Sequence, residues 1–170
     1  MERRLPPGVI AVEPGPGQES VWDYPRPPRV EIVADRIRVV VGGRTLADSD
    51  SARRVLETAG APVYYVPPDD VDLERLRPGS GTTVCEWKGT ASYLDYDDGD
   101  RRIARVGWTY RAPEPGFEAI RDHVAFYASR VDEAWVGSEQ ARPQPGLFYG
   151  GWVTDAIVGP IKGELGSEWW

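Results

Sequence analysis

The chain contains 170 residues, of which 41% are hydrophobic and 28% charged, and its formal net charge is −7. This length and apolar content allow one globular domain with a packed core and exclude a wholly disordered chain. One cysteine excludes an internal disulfide, together with one histidine it excludes the usual Cys/His zinc cages, and the acidic balance predicts no nucleic-acid partner.

The N-terminal segment, residues 1–28, is rich in proline and poor in β-branched residues. We predict an extended arm here, held against the body by Val21, Trp22 and Tyr24. Residues 1–18 lack the apolar stretch of a signal peptide, and no apolar run approaches the roughly 18 residues of a membrane span. We therefore expect a cytoplasmic location and no membrane partner.

After the arm, the hydrophobic pattern changes to a period of two. The alternation over residues 37–41 predicts a half-buried strand, and Gly42-Gly43 is typical of a turn. Asp50 is a candidate N-cap for a short helix, which would carry Ala52, Val55, Leu56 and Glu57. A short strand is predicted over residues 63–66, and one or two helical turns over residues 69–76.

The next segment predicts a hairpin followed by a helix. Residues 82–97 form one predicted strand, or two with a kink at Gly89, and Asp98-Gly99 is typical of a tight turn. Residues 103–110 return as the partner strand. Apolar residues then repeat at three and four positions, which predicts an amphipathic helix over Phe117, Ile120, His123, Val124 and Tyr127.

A last strand is predicted over residues 131–136, and the chain after it is rich in Gly, Pro and Trp. Together these elements predict a mainly β fold of the α+β class in one compact domain, closed by short helices. We expect the N-terminal arm at residues 1–28, the body at 29–140 and a C-terminal arm at 141–170.

The run Cys85-Glu86-Trp87-Lys88-Gly89 combines ionisable and aromatic side chains. In a strand, Cys85 and Trp87 would point to one face, and Glu86 and Lys88 to the other. Either the first pair fills the core and the second is a solvated ion pair, or Glu86 and Lys88 face a concave surface as an acid/base pair or ligand anchors. Cys85 is a weak candidate nucleophile, because no base is assured beside it.

Aromatic residues on several predicted strands form a second candidate group: Tyr64, Tyr65, Trp108 and Tyr110. They could wall a small pocket whose polar rim carries Arg53, Arg54 and Glu57 from the predicted helix between the strands, or they could fill the core. The acidic residues 95–100 match no calcium-binding loop. Gly79-Ser80 with Asp95 and Asp97 resembles a nucleotidyltransferase signature, but the two carboxylates fall at a predicted hairpin end.

Several runs resemble one bacterial family, domain of unknown function 427. They are Val55-Leu56-Glu57-Thr58, Pro62-Val63-Tyr64-Tyr65-x-Pro67, Cys85-Glu86-Trp87-Lys88-Gly89-x-Ala91-x-Tyr93, Trp108-x-Tyr110-x-x-Pro113 and Ile120-Arg121-Asp122-His123-x-Ala125-Phe126-Tyr127. Both arms resemble its actinobacterial branch, through Gln18–Pro28 and through Pro143–Gly163, which contains Phe148-Tyr149-Gly150-Gly151-Trp152. The resemblance covers nearly the whole chain.

This resemblance implies a strand-rich single domain, with a tent-like arrangement of two antiparallel sheets closed by a short helix. A nucleotidyltransferase-like label is sometimes attached to the family, but Asp95 and Asp97 lie outside its motifs. The matched positions with binding-type side chains are Arg54, Glu57, Tyr65, Lys88, Trp108, Tyr110 and Tyr127.

Three functions follow as expectations. The first is a small-molecule-binding domain whose pocket is lined by Tyr65, Tyr110 and either Trp87 or Trp108, with Arg54 and Tyr127 as further contacts and Glu57, Glu86 and Lys88 as polar groups. The second is an enzyme in which Lys88, with Glu57 or Glu86, performs acid/base or nucleotidyl-transfer-like chemistry. The third is an interaction module that uses Trp152, Trp169 and Trp170 and forms a homodimer through the arms. The sequence indicates no metal site and no particular cofactor.

Overall fold

A computed structural model describes residue 3 and residues 5–170 of the chain. Within these residues the helical elements are four 3-10 turns, at Val21–Asp23, Pro68–Asp70, Leu73–Arg75 and Glu118–Ile120. The strands are β1 (Glu19–Ser20), β2 (Arg29–Ile32), β3 (Ile37–Val41), β4 (Arg44–Ser49), β5 (Arg53–Leu56), β6 (Val63–Tyr65), β7 (Leu76–Cys85), β8 (Gly89–Asp97), β9 (Arg102–Thr109), β10 (Val124–Phe126), β11 (Glu133–Val136), β12 (Glu139–Gln140), β13 (Arg142–Pro143), β14 (Trp152–Val153) and β15 (Ile157–Val158).

Three antiparallel sheets form the body, in the strand orders β2-β5-β6, β10-β9-β8-β7 and β12-β11-β3-β4. The first two are joined where Val66 and Val124 exchange backbone hydrogen bonds of 2.8 and 2.9 Å. Seven strands therefore make one continuous surface, and no sheet of the described residues closes into a barrel. The predicted mainly β, single-domain architecture is confirmed.

The joined surface is buried on both faces, because successive side chains of a strand point in opposite directions. Tyr64 and Phe126 belong to the larger core, which also contains β3, β4 and β11 side chains. Tyr65 and Ala125, their neighbours in sequence, belong to a second cluster on the other face. That second face carries the candidate site.

Two of the predicted helices are wrong: the helix after Asp50 is strand β5, and the helix over residues 117–127 is a 3-10 turn followed by strand β10. Residues 53–56 pair with both β2 and β6, and Val55 and Leu56 enter different clusters, so their spacing was not that of one helix face. The apolar repeat of residues 117–127 comes from one 3-10 turn and then β10, which pairs with β9. His123 consequently lies between these two elements, and its Nδ1 is 2.9 Å from the Arg121 carbonyl oxygen.

Of the two alternatives predicted for residues 82–97, one strand or two with a kink at Gly89, the structure has two strands, and they are separated by a turn at residues 86–88. Gly89 begins β8 with φ of +101°, a left-handed conformation that glycine adopts without steric cost. Because residues 86–88 form the turn, the alternation expected for Cys85, Glu86, Trp87 and Lys88 does not apply to them.

Both terminal arms pack onto the body. Val21, Trp22 and Tyr24 are buried beside Leu56, and β1 pairs in parallel with β15. Trp152, from the C-terminal arm, is 1% exposed in the larger core, and its indole N–H donates to the Phe126 carbonyl at 2.8 Å. No helix in the described part of the chain has the length and apolar character to cross a membrane.

Candidate functional site

Two adjoining cavities lie against the second face of the joined sheet. Their volumes are about 220 and 150 Å³. They meet at a shared set of lining residues, which comprises Glu57, Val63, Lys88, Tyr149 and Gly150. We treat them as one site with an aromatic chamber and a charged chamber.

The aromatic chamber, the larger cavity, is walled by rings from strands β6, β8 and β9 and from the residues that directly follow β9 and β10. The centroids of Trp108 and Tyr127 are 4.7 Å apart, and those of Tyr65 and Tyr110 are 6.3 Å apart. Tyr65 and Trp108 meet edge to face at 89°, and the Trp108 indole N–H points to the Tyr65 hydroxyl at 3.4 Å. Such tilted and edge-on contacts are favourable for aromatic rings, so the wall is pre-formed.

Three phenol groups of this wall, those of Tyr65, Tyr110 and Tyr127, have raised pKa values, which favours their neutral form. Burial raises the pKa of Tyr65 and of Tyr110 well above the usual tyrosine range. Burial, with a smaller contribution from Tyr93, raises the pKa of Tyr127 to about 12. The ionisable Lys88 and Glu57 side chains therefore provide the fixed charges that line the aromatic chamber.

The charged chamber, the smaller cavity, is lined by three cationic side chains and one carboxylate. Arg26 lies 3.8 Å from the Glu57 carboxylate. Lys162 donates to the Trp170 main-chain oxygen at 3.0 Å, and its Nζ lies 5.3 Å from the Tyr149 ring centroid. Lys88 forms no ion pair within residues 3 and 5–170; its Nζ lies 5.9 Å from the Tyr110 ring centroid.

Residues 145–151, which we call the strap, border both chambers, and residues 148–151 contribute to their walls. The Tyr127 hydroxyl donates to the Phe148 carbonyl at 3.3 Å. Gly150 lies so close to Trp108 that a Cβ at this position would be 2.1 Å from the Trp108 Cη2 atom. Sequence reasoning did not assign this segment to the site, although the run of two aromatic residues and two glycines was a usable signal.

The structure brings together six of the predicted site residues at the cavities: Glu57, Tyr65, Lys88, Trp108, Tyr110 and Tyr127. Three others line neither cavity. Glu86 is exposed in the turn, and Trp87 packs half-buried against the second cluster. Cys85, the one cysteine of the chain, lines the aromatic chamber.

Arg54 also lies away from the cavities. Val55 lines the smaller cavity, and Arg54, which precedes it on β5, points to the opposite face of the strand. Its guanidinium donates to Glu31 at 2.9 Å and to Glu19, which also accepts from the Tyr24 hydroxyl at 2.8 Å. Burial of Glu31 opposes its ionisation, but hydrogen bonds and ion pairs from Arg54 and Arg29 outweigh burial and hold the pKa of Glu31 below its usual range. Arg54 therefore ties the N-terminal arm to the body.

We expect Arg54→Met to lower the free energy of unfolding by about 1–2 kcal/mol at neutral pH, because it leaves two half-buried carboxylates without their shared cation. A carboxylate whose folded pKa is depressed stabilises the fold above its unfolded pKa of roughly 4.3, and that contribution disappears as the pH falls through the folded value. The loss in the variant should therefore shrink at about pH 3. Urea denaturation at neutral pH and at about pH 3 measures the loss of stability, and the more exposed Arg29→Met is the control. An equal loss for Arg54→Met at the two pH values would contradict the prediction.

The comparison with known families agrees with the motifs on these strands. A family model described as domain of unknown function 427 matches residues 29–137. The chain belongs to this family. The model carries a nucleotidyltransferase-like short name, and its matched segment ends before the strap. No curated protein matches the chain.

Asp95 and Gly79, two residues of the nucleotidyltransferase-like pattern, make contacts that hold the fold together. Asp95 is buried; it accepts from the Arg105 backbone N–H at 2.8 Å and from Arg102 at 3.4 Å. Gly79 lies against it, since a Cβ there would be 2.8 Å from the Asp95 carboxylate. Across the residues described, no three His, Cys, Asp or Glu side chains come together as a metal site.

Proposed function

We propose that this protein binds a small organic molecule in the two joined chambers. The observation that carries the proposal is the aromatic chamber itself, a space of about 220 Å³ whose walls include Tyr65, Trp108 and Tyr110. Engineered apolar cavities of about 150 Å³ bind benzene, so this space is large enough for a ring. A concave apolar wall with few polar groups is the usual form of a small-molecule site.

The second candidate function is an enzyme that acts on the molecule so bound. This function is favoured because the Lys88 and Glu57 side chains each line the two chambers. Lys88 would hold an anionic group of the substrate, and Glu57 would move a proton. Glu86 has no part in this version, since it lines neither chamber.

A cytoplasmic location and a homodimer through the arms remain proposals. A half-buried free thiol at Cys85 suits the cytoplasm, where thiols stay reduced. For the dimer, the support is limited to Trp169, which is exposed, because Trp170 packs on Trp22 of its own chain with ring centroids 5.4 Å apart.

The binding proposal is tested by thermal unfolding against a panel of nucleotides, amino acids, cofactors, sugars and aromatic acids. A ligand at a hundred times its Kd adds about 2.7 kcal/mol, which raises the Tm by several degrees in a domain of this size. A ligand bound in the aromatic chamber should also slow the alkylation of Cys85 by iodoacetamide, and mass spectrometry measures the alkylation rate.

The matched variant is Val63→Phe, which places a ring where the two chambers meet. We expect it to fold and to lose the ligand-induced shift, whereas Ile32→Phe on the exposed side of β2 keeps it. A shift that survives in Val63→Phe, or a panel with no shift at all, would contradict the proposed function.

A further inference from the structure

The charges of the two chambers restrict what the occupant can be. This inference rests on the proposed function, because it concerns the same cavity. Arg26 is paired with Glu57, and Lys162 donates to the Trp170 main-chain oxygen. Lys88 is the cation that lines both chambers, and none of its neighbours in the described chain is an ion-pair partner.

Lys88 is a half-buried residue without a carboxylate partner in the described chain, which is unusual in an acidic protein. The chain has 27 acidic residues and 20 basic ones, so partners for surface cations are plentiful. Removing a charge from water is costly unless an opposite charge or polar groups replace the water. At Lys88 an anionic group of a molecule in the cavity would supply that opposite charge.

The strap supplies a second feature that suits an anion. Gly151 is buried and lines the charged chamber, and its backbone N–H donates no hydrogen bond within the described chain. Buried backbone N–H groups are nearly always paired, so an unpaired one beside a cavity is a donor available to a ligand or a water molecule. A Cβ at this position would be 2.5 Å from the Ala61 carbonyl oxygen, so glycine is required here.

The charges nearest Lys88 select among anions. Lys88 lies where the chambers meet, whereas Lys162, which also has no carboxylate partner in the described chain, lines the charged chamber alone. A group seated on Lys88 therefore lies beside one ammonium and the Glu57 carboxylate. A phosphate dianion there would carry one negative charge more than that ammonium compensates, and a carboxylate monoanion would not.

We propose that the occupant is a small aromatic carboxylate, with its ring in the aromatic chamber and its carboxylate on Lys88 where the chambers meet. The ring contacts Trp108 and Tyr65, and the strap closes over the acid group. Val84 and Phe148, which line the aromatic chamber and are largely exposed, leave an apolar rim for substituents of the ring.

Four probes of the same one-ring skeleton test this assignment: phenylacetate, phenylacetamide, phenethylamine and benzyl phosphate. Each is titrated against the rate of Cys85 alkylation by iodoacetamide, which is uncharged and reports on the aromatic chamber. We expect phenylacetate to protect Cys85 with a Kd about tenfold lower than phenylacetamide, and benzyl phosphate to be weaker than phenylacetate.

The variants assign the difference to one side chain. Lys88→Met should reduce the acid-over-amide preference to less than about twofold, and Lys88→Arg should retain it. Arg38→Met, which removes a cation stacked on Trp135 in another sheet, should change nothing.

Equal protection by acid and amide, or strongest protection by phenethylamine, would overturn the carboxylate assignment while leaving small-molecule binding intact. Strongest protection by benzyl phosphate would overturn it in favour of a phosphate monoester. No protection by any probe at about 10 mM would also overturn it, and the broad thermal panel would then decide the proposed function separately.

Discussion

Trp152→Ala is expected to lower the free energy of unfolding by about 3–5 kcal/mol, which is the usual cost of truncating a fully buried large side chain. The indole is 1% exposed, contacts the Tyr64 ring with centroids 5.2 Å apart, and donates to the Phe126 carbonyl. Its removal leaves both a cavity and a buried carbonyl without its donor. Urea denaturation measures the change.

Trp169→Ala is the matched control, because the same residue type from the same arm is 81% exposed there. We expect its effect to stay within about 0.5 kcal/mol. A chain that ends at Gln140 should fail to fold, because it lacks Trp152 altogether. A stable, cooperatively unfolding fragment would show that the C-terminal arm is an accessory and not part of the core.

Gly150→Ala should displace the strap and open the aromatic chamber. The new Cβ would be 2.1 Å from Trp108 Cη2 and 2.6 Å from Cζ3, so either the ring or the strap must move. Overpacking of this kind costs about 1–3 kcal/mol. Because Trp108 is held by Tyr65 and Tyr127, we expect the strap to yield, Cys85 alkylation to accelerate about tenfold, and ligand-induced thermal shifts to disappear.

Gly60→Ala is the control for this variant, since it lines the same site but meets its nearest atom at 3.6 Å, an ordinary contact. Its alkylation rate and stability should remain close to those of the unchanged chain. If Gly150→Ala destabilised the protein without exposing Cys85, the ring and not the strap would have moved. The strap would then not control access to the chamber.

The strands over residues 37–41 and 103–110 were predictable from their alternating apolar residues, and the Asp98-Gly99 turn between β8 and β9 was predictable from its residues alone. The face that each side chain takes was less predictable: Val106 lies in the larger core and Trp108 in the second cluster, beside a register irregularity between β8 and β9. The short helix predicted after Asp50 was wrong for a physical reason. Val55 and Leu56 are both buried, but on opposite faces of β5, and a one-dimensional pattern does not show two cores on two sides of a strand.

The candidate site divides in the same way. Tyr65, Lys88, Trp108 and Tyr110 were identified from their residue types and motifs, and all four line the chambers. The separation of Glu86 from Lys88 was not predictable. It depends on the turn at residues 86–88, which in turn depends on how β7 pairs with β8.

The sequence alone determines a single acidic, strand-rich domain with a distinctive aromatic and lysine motif, because composition and local periodicity are properties of the chain itself. The tertiary structure decides which of these side chains share a cavity, that Lys88 has no ion-pair partner within the described chain, and that the strap borders both chambers. These features arise from contacts between residues far apart in sequence, such as Gly150 with Trp108 and Glu57 with Arg26, and such contacts form only when the sheets pack.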